Sequence, residues 1–146
     1  MKPGDEITTG GCRWKVLDVQ DGRVLIWKFT GVEDHVFNNS GSNVYEGSDI
    51  QKFLQAGFRE DLPEELLELV SEEGFFLLTI EQIRKYLPNE IDRIAADPDG
   101  DTTWWWTASP HVGNGSNVRY IGTSGNVYVN YAYVSNGVAP ACWLTI

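Results

Sequence analysis

Hydrophobic and polar residues alternate near the start of the chain, with the period of two that is typical of β-strands. Residues 12–19 and 23–29 form two such runs, and Asp21 and Gly22 lie between them. An Asp-Gly pair favours a tight turn because glycine adopts a positive φ without steric cost. The pattern therefore predicts a β-hairpin.

In the middle of the chain the hydrophobic spacing changes to that of helices. Ser48 with Gln51, and Thr79 with Gln82, have the spacing of capping boxes, which predicts that one helix follows Ser48 and another follows Thr79. We further predict a loop over residues 32–47, a helix from Pro63 that buries Leu66, Leu69 and Val70, a short buried strand over residues 75–78, and a short helix capped by Asn89 with Ile91 and Ile94 inward.

The character of the chain changes again near Asp97, where charge becomes rare and Gly, Asn, Tyr and Trp become frequent. Residues 118–121, 127–134 and 138–146 predict strands, with a turn at residues 124–126 and another at Asn136-Gly137. No long helix separates these strands, so we expect a mainly antiparallel sheet. The whole pattern predicts an α+β fold in a single domain, residues 1–146.

Composition narrows the partners. The chain has 146 residues, 42% of them hydrophobic, which is enough for one core, and its net charge of -10 disfavours nucleic acids and anionic membranes. No stretch approaches 18 apolar residues, so no membrane insertion is expected. The first residues lack the apolar segment of a secretory signal, so we expect a cytoplasmic protein. Export as part of a phage particle needs no such signal and stays open.

A series of motifs resembles a known family. They are W-W-W-T-A-S-P (residues 104–110), V-R-Y-I (118–121), S-G-N-V (124–127) and N-G-V-A-P-A-C-W-L (136–144), preceded by W-K-V-L-D (14–18), S-D-I-Q-K-F-L-Q-A-G-F (48–58) and F-F-L-L-T (75–79). Their order and spacing resemble the C-type-lectin-like domains of bacterial, phage and mobile-element proteins, such as the variable proteins of diversity-generating retroelements and related domains of unassigned function. Thr107, Ala139 and Cys142 depart from the family's usual residues.

The resemblance implies a C-type-lectin-like fold, with paired terminal strands, a mainly antiparallel sheet, flanking helices and a loop-rich C-terminal half. It also implies a non-catalytic module whose C-terminal segment binds a protein, a glycan or another surface polymer. Tyrosine offers contact area and asparagine offers adaptable hydrogen bonds. The expected ligand-binding residues are His111, Asn114, Asn117, Arg119, Tyr120, Asn126, Tyr128, Asn130, Tyr131 and Tyr133.

Two other interpretations of this segment stay open. Tyrosine is common in antiparallel strands, and asparagine with glycine is common in turns, so the same composition is compatible with a surface that binds nothing. The chain is alternatively a structural subunit of a larger particle that uses this surface as a subunit interface. Among Trp104, Trp105 and Trp106 we expect at least one in the core, whereas an exposed one would stack on a sugar ring or a peptide.

Metal chemistry has weak support in the sequence. Residues Ala139-Pro140-Ala141 lack the carboxylate and amide groups with which lectin-type domains hold calcium against a sugar. Asp97, Asp99 and Asp101 alternate as in an EF-hand loop, but Thr102 and Ala108 stand where that loop has glycine and glutamate. We expect a solvated acidic turn there, no metal site and no cofactor, with a weak calcium site left open.

Catalytic motifs are not evident. His35 and His111 are the chain's histidines, and none of the familiar nucleophile, zinc, phosphate or dinucleotide patterns occurs. A hydrolase or transferase with an unrecognised site is the remaining enzyme hypothesis. Cys12 and Cys142 lie near opposite ends of the chain, and we interpret them as small buried hydrophobic residues. A disulfide between them stays open if the first and last strands pair.

Overall fold

The computed structural model describes residues 1–146 and shows a mixed α+β fold built mostly of antiparallel sheet, as predicted. The helices are α1 (Asp49–Gln55), α2 (Glu64–Leu67) and α3 (Ile80–Tyr86), with short 3-10 helices at Gly57–Asp61 and Glu90–Arg93. The strands are β1 (Glu6–Thr9), β2 (Cys12–Gln20), β3 (Arg23–Lys28), β4 (Glu33–Val36), β5 (Ala95–Ala96), β6 (Thr102–Thr103), β7 (Trp105–Pro110), β8 (Asn117–Ile121), β9 (Val127–Tyr131), β10 (Ser135–Val138) and β11 (Ala141–Thr145).

The first sheet has the strand order β1-β2-β3-β11 and contains the predicted hairpin. Gly22 has a φ of 73° in the β2–β3 turn, the left-handed conformation that the Asp-Gly pair predicted. The last strand, β11, pairs with β3, whereas β1 lies at the opposite edge of the sheet. The prediction that the first and last strands pair is therefore wrong, because the first predicted strand, residues 12–19 in β2, is separated from β11 by β3. Cys12 and Cys142 are both free thiols.

The second sheet has the strand order β4-β10-β7-β8-β9. The turn predicted at Asn136-Gly137 is wrong, because both residues lie within β10, where Gly137 pairs in parallel with Trp105. A β-carbon at Gly137 would lie 2.1 Å from the carbonyl oxygen of Trp104. This glycine therefore allows two backbones to approach closely. In the sequence, an Asn-Gly pair with this role cannot be distinguished from one that forms a turn.

The loop predicted over residues 32–47 contains the short edge strand β4, which pairs antiparallel with β10. Two of its four residues, Glu33 and Asp34, are exposed acids. Short strands with charged residues have little apolar alternation, so the hydrophobic pattern does not reveal them.

Helix caps follow the sequence closely. Thr79 Oγ1 accepts from Gln82 N at 3.2 Å, and Gln82 Oε1 accepts from Thr79 N at 2.9 Å, which completes the predicted capping box of α3. Ser48 Oγ accepts from Gln51 N at 3.2 Å and caps α1. The Gln51 side chain accepts instead from Gly47 N, one residue earlier than a capping box requires.

Several inward positions of the middle segment differ from the prediction. Leu69 and Ile91 are exposed. Residues 75–78 form no strand, and Phe76 makes a single bridge to Ala141. In the 3-10 helix Glu90–Arg93 the buried residue is Arg93, whose Nε donates to the Leu87 carbonyl at 2.8 Å and whose Nη1 donates to the Gly125 carbonyl at 3.2 Å. A long arginine satisfied by carbonyls replaces the expected apolar contact.

The buried apolar residues form two clusters, and each cluster combines residues from both ends of the chain. Trp106 belongs to the first cluster and Trp105 to the second, because neighbouring residues of a strand point to opposite faces of the sheet. Both faces of the second sheet are thus covered at β7. No helix is long and apolar enough to cross a membrane.

Candidate functional site

The second sheet is buried at β7 and becomes exposed toward β9, its edge strand. On β9, Tyr128 is 47% exposed, Val129 is 42% exposed and Tyr131 is 49% exposed. Tyr128 and Tyr131 are residues that the sequence predicts to bind ligand. The backbone pairing of β8 with β9 places Tyr120 opposite Tyr128 and Asn117 opposite Tyr131. The C-terminal segment therefore leaves aromatic side chains on the surface while its neighbouring strands build the core.

Three stacked rings cross this sheet, and we call Trp104, Tyr120 and Tyr128 the aromatic row. The ring centroids of Trp104 and Tyr120 are 5.8 Å apart, and those of Tyr120 and Tyr128 are 5.6 Å apart. Both pairs of rings are stacked, with interplanar angles of 30° and 29°. Tyr120 also meets the buried Trp106 edge to face, so the row is anchored to the core.

The three consecutive tryptophans have different environments. Trp105 and Trp106 are fully buried, and their indole nitrogens donate to the carbonyls of Arg93 and His35, each at 3.0 Å. Trp104 precedes β7 and is 48% exposed. The expectation that at least one of the three lies in the core is confirmed. Trp104 is the member that presents its ring to the surface, and the list of expected ligand-binding residues did not include it.

A second exposed aromatic group, the tyrosine pair, consists of Tyr131 and Tyr133. Their centroids are 5.3 Å apart, and the rings are nearly parallel at 10°. Ala132 lies between them, is fully buried, and accepts hydrogen bonds at its carbonyl from Phe37 N and Asn38 N. This anchor ends β9 and holds both rings at the surface.

A shallow depression of about 490 Å³ lies at the β9 edge of the second sheet, beside the aromatic row. Its lining combines Tyr120 and Tyr128, from one face, with Arg119 and Val129, from the other, because alternate residues of a strand point in opposite directions. His111 contributes to the same lining. The depression therefore runs along the sheet edge, where the structure brings together four expected ligand-binding residues and the two valines Val127 and Val129.

The electrostatics of this surface differ from those of the rest of the chain. No Asp, Glu, Lys, Arg or His occurs between Gly122 and Ile146, although the net charge is -10. Arg119 takes part in neither of the molecule's ion pairs, which are Arg13–Glu6 and Arg23–Glu73. Burial, and secondarily the neighbouring Tyr128, raises the pKa of Tyr120, so its phenol stays neutral at physiological pH. The surface offers stacking and hydrogen bonding with one cation.

The predicted asparagines organise the backbone of the site. Asn114 Oδ1 accepts from Asn117 N at 2.9 Å and from Ser116 N at 3.0 Å, which shapes the β7–β8 loop. Asn130 Oδ1 accepts from Tyr131 N at 2.8 Å. The Asn126 side-chain amide lies against the Glu90 carboxylate, and hydrogen bonding there requires its nitrogen on that side, which puts Nδ2 2.9 Å from Oε2. Asn117 Oδ1 is buried and accepts no hydrogen bond within the chain.

Asn43, from the loop between β4 and α1, is a supporting residue that the sequence reasoning missed. It is buried, and its Nδ2 donates to the carbonyls of Asn114 at 2.8 Å and Asn117 at 3.0 Å. Its own N–H donates to the Gly115 carbonyl at 2.9 Å. The side chain thereby fixes the β7–β8 loop. Nothing in the polar run around Asn43 distinguishes it from its neighbours, because the contact joins distant parts of the chain.

A separate cavity of about 340 Å³ lies against the first sheet, and its lining includes Cys12, Lys28, Glu33, Asp34 and Asp61. Lys28 Nζ donates to the carbonyls of Thr30 at 2.9 Å and Gly31 at 2.7 Å. Burial lowers the pKa of Lys28. The ammonium group closes the turn after β3, which is a structural use of this lysine.

The acidic turn between β5 and β6 is organised by its own backbone. Asp97 Oδ1 accepts from Asp99 N at 2.9 Å and from Asp101 N at 3.0 Å. No group of three or more His, Cys, Asp or Glu side chains has the arrangement that holds a metal ion. His35, one of the two histidines, stacks on Phe53, and its Nδ1 lies 2.6 Å from the Val36 carbonyl.

Comparison with known proteins gives a family match over the C-terminal part of the chain, which contains this site. Residues 81–146 match the family model described as a domain of unknown function, DUF6273. The matched segment begins within α3 and includes β7, β8 and β9 with every expected ligand-binding residue. No curated protein matches the chain.

Proposed function

We propose that this chain is a non-catalytic ligand-binding module whose C-terminal surface binds a protein or a surface polymer. The observation that carries the proposal is the aromatic row, in which Trp104 and Tyr128 remain about half exposed while Tyr120 ties them to the core. The tyrosine pair extends this surface beyond the end of β9. Rings that are already stacked lose little conformational entropy when a ligand binds.

The chemistry of the surface indicates the kind of ligand. Exposed aromatic rings stack on sugar rings or on apolar and planar groups of proteins, and the tyrosine hydroxyls add hydrogen bonds. Arg119 contributes a cation that no acidic side chain of the protein neutralises. A ligand with apolar ring faces, hydroxyl or amide groups and an occasional negative charge fits this combination. A polycation would be attracted to the acidic parts of the molecule instead.

We also propose that the fold is C-type-lectin-like in a single domain. The return of β11 to the β2–β3 hairpin supports this, as does the concentration of loops and exposed aromatics in the C-terminal half. In this interpretation the module is encoded by a phage or a mobile element, its C-terminal surface is diversified, and it acts in the cytoplasm or on a phage particle. The proposal rests on the motif resemblance together with these placements.

The test is a binding screen of the purified chain against glycan and protein arrays, with and without calcium. A variant with Tyr128→Ala, Tyr131→Ala and Tyr133→Ala should lose binding while its melting temperature stays close to that of the parent. Leu69→Ala, at an exposed apolar position beside β11 of the first sheet, is the matched control and should bind normally. Binding that ignores the three tyrosines, or that is lost in Leu69→Ala, would contradict the proposal.

A single-residue series locates the surface more finely. Trp104→Ala should weaken binding as much as Tyr128→Ala, because both rings belong to one stacked row. Tyr128→Phe should retain the stacking contribution and lose only hydrogen bonds of the hydroxyl. If Tyr128→Phe were as damaging as Tyr128→Ala, hydrogen bonding rather than stacking would dominate the recognition.

A further inference from the structure

The two main sheets have four edge strands, and three of these are protected against pairing with a strand of another molecule. The first edge, β1, is four residues long and carries Glu6, and β4 carries Glu33 and Asp34. The outer edge of β11 is covered by the segment that precedes α3, since Phe76 bridges Ala141 and Ser71 N donates to the Trp143 carbonyl at 2.9 Å. Short length, charge and covering segments are the usual ways to prevent unwanted strand pairing.

The fourth edge, β9, has none of these protections. Its sequence, V-Y-V-N-Y, contains no charge and no proline, and its pairing with β8 is regular. Hydrogen bonds from Gly122 N to the Asn126 carbonyl and from Ala132 N to the Ser116 carbonyl show that the even-numbered residues face β8. The N–H and C=O groups of Val127 and Val129 therefore point away from the sheet.

The unpaired part of this edge ends before Tyr131, because the backbone groups of Tyr131 already have partners within the chain. At Tyr131, the next outward residue, the N–H donates to Asn130 Oδ1 at 2.8 Å and the carbonyl accepts from Val134 N at 3.2 Å. Val127 and Val129 thus offer two donors and two acceptors placed symmetrically about Tyr128. Such an arrangement matches an antiparallel copy of itself.

We propose that β9 pairs antiparallel with β9 of a second copy of this chain. In the proposed register Val127 of each copy exchanges hydrogen bonds with Val129 of the other, and the two Tyr128 residues lie opposite each other on the two-fold axis. The two five-stranded sheets become one sheet of ten strands. The aromatic row then continues through Tyr128 into its symmetry mate, because both rings lie on the same face.

Charge favours a second copy at this edge. Two chains of net charge -10 repel each other over most of their surfaces. The segment from Gly122 to Ile146 contains no charged side chain, so the two paired strands are themselves neutral, with Arg119 on β8 and Glu90 beside Asn126 as neighbouring charges. Pairing at β9 also keeps the acids of Glu33 and Asp34 on the opposite edge of the sheet. This proposal does not depend on the identity of the ligand, although it uses Tyr128.

Sedimentation velocity over a range of concentrations tests the pairing. The parent chain should show a monomer–dimer equilibrium. Val129→Pro should be monomeric, because proline removes an outward N–H yet is tolerated at an edge position whose N–H faces solvent. Val129→Thr keeps the N–H and should still form the dimer. A parent chain that stays monomeric at every concentration, or a dimer that survives Val129→Pro with its sheet intact, would overturn the proposal.

Cross-linking tests the register. Residues in a non-hydrogen-bonded antiparallel pair have Cα atoms about 4.5 Å apart, within the range of a disulfide. In a Cys12→Ser background, Tyr128→Cys should therefore form a disulfide-linked dimer rapidly under mild oxidation. Asn130→Cys should not, because in this register Asn130 faces Asn126 of the other copy. Equal cross-linking of the two variants, or none in either, contradicts the register, whereas loss of array binding alone concerns only the ligand proposal.

Discussion

The two main sheets use aromatic residues in opposite ways. In the first sheet Trp14 and Trp27 are fully buried, and Trp27 meets Trp105 of the second sheet at a centroid distance of 5.0 Å. In the second sheet the aromatic residues pass from buried at β7 to half exposed at β9. The difference indicates that composition alone does not decide what an aromatic residue does. Its strand's position within the sheet decides whether the ring stabilises the fold or remains available for binding.

The sharpest test of this comparison uses neighbouring tryptophans. Trp105→Ala removes a fully buried indole that contacts Trp27 and donates to the Arg93 carbonyl. We expect it to lower the free energy of unfolding by about 3–5 kcal/mol, as large-to-small core substitutions do. Urea denaturation measures the loss. Trp104→Ala, one residue away and half exposed, is the control and should cost about 1 kcal/mol or less. Similar losses at both positions would break the comparison.

The parts of the fold that the sequence predicted depend on local chemistry. The β2–β3 turn is specified by Gly22, and α3 begins at the capping box of Thr79 and Gln82, so neighbours in sequence determine both. The errors concern contacts between distant residues. Position 137 is a glycine because the backbone of Trp104 approaches it, and Arg93 rather than Ile91 points inward, where it donates to the carbonyl of the distant Gly125. Periodicity carries no information about such long-range contacts.

A buried arginine holds the turn that leads into the exposed edge strand β9, and the second prediction concerns this residue. Arg93 donates to the carbonyls of Leu87 and Gly125 and so holds the turn that precedes β9. Arg93→Met should lower the free energy of unfolding by about 2–3 kcal/mol, because two buried carbonyls lose charged donors. Chemical denaturation is the measurement, and Arg84→Met, on the exposed side of α3, should change little. Equal effects of the two variants would show that the turn does not depend on Arg93.

The candidate site was predictable only in its location. The Tyr- and Asn-rich segment indicated the C-terminal surface, and Tyr128, Tyr131 and Tyr133 are exposed there. The asparagines, in contrast, resemble ligand contacts in composition, yet Asn114 shapes a loop within the chain. Asn43 was missed because its hydrogen bonds reach a distant loop: Asn114 is 71 residues away along the chain and Asn117 is 74 residues away. Composition indicates a surface, whereas the role of each side chain depends on the fold.

Cys142 provides a third prediction, based on a buried residue of the first sheet. Burial raises the pKa of its thiol to about 12 from an ordinary value of 9.0. Between these values the unfolded chain loses the thiol proton and the folded chain keeps it, so this contribution to stability is present below pH 9 and lost above it. The free energy of unfolding should fall by about 1.4 kcal/mol for each pH unit in that window.

The measurement is denaturant unfolding at several alkaline pH values, compared with Cys142→Ala. The variant removes the titrating group, so its stability should decline less steeply with pH even though its stability at neutral pH is lower. Tyr45 and Tyr86, whose pKa values burial also raises, contribute equally to both proteins and cancel in the comparison. Identical pH slopes in the two proteins would contradict a buried, protonated Cys142.

The smallest expected effect concerns the tyrosine pair, at the exposed end of the second sheet. Tyr131 and Tyr133 stack at 5.3 Å, and each is about half exposed. A double-mutant cycle with Tyr131→Ala and Tyr133→Ala should give a coupling free energy of about 0.5–1 kcal/mol, because the rings contact each other but desolvate little surface. The control cycle combines Tyr131→Ala with Ile91→Ala, which share no stacking contact and should be additive. A coupling well above this range would mean that the pair is part of the folding core, and the surface assigned to binding would then be a surface required for stability.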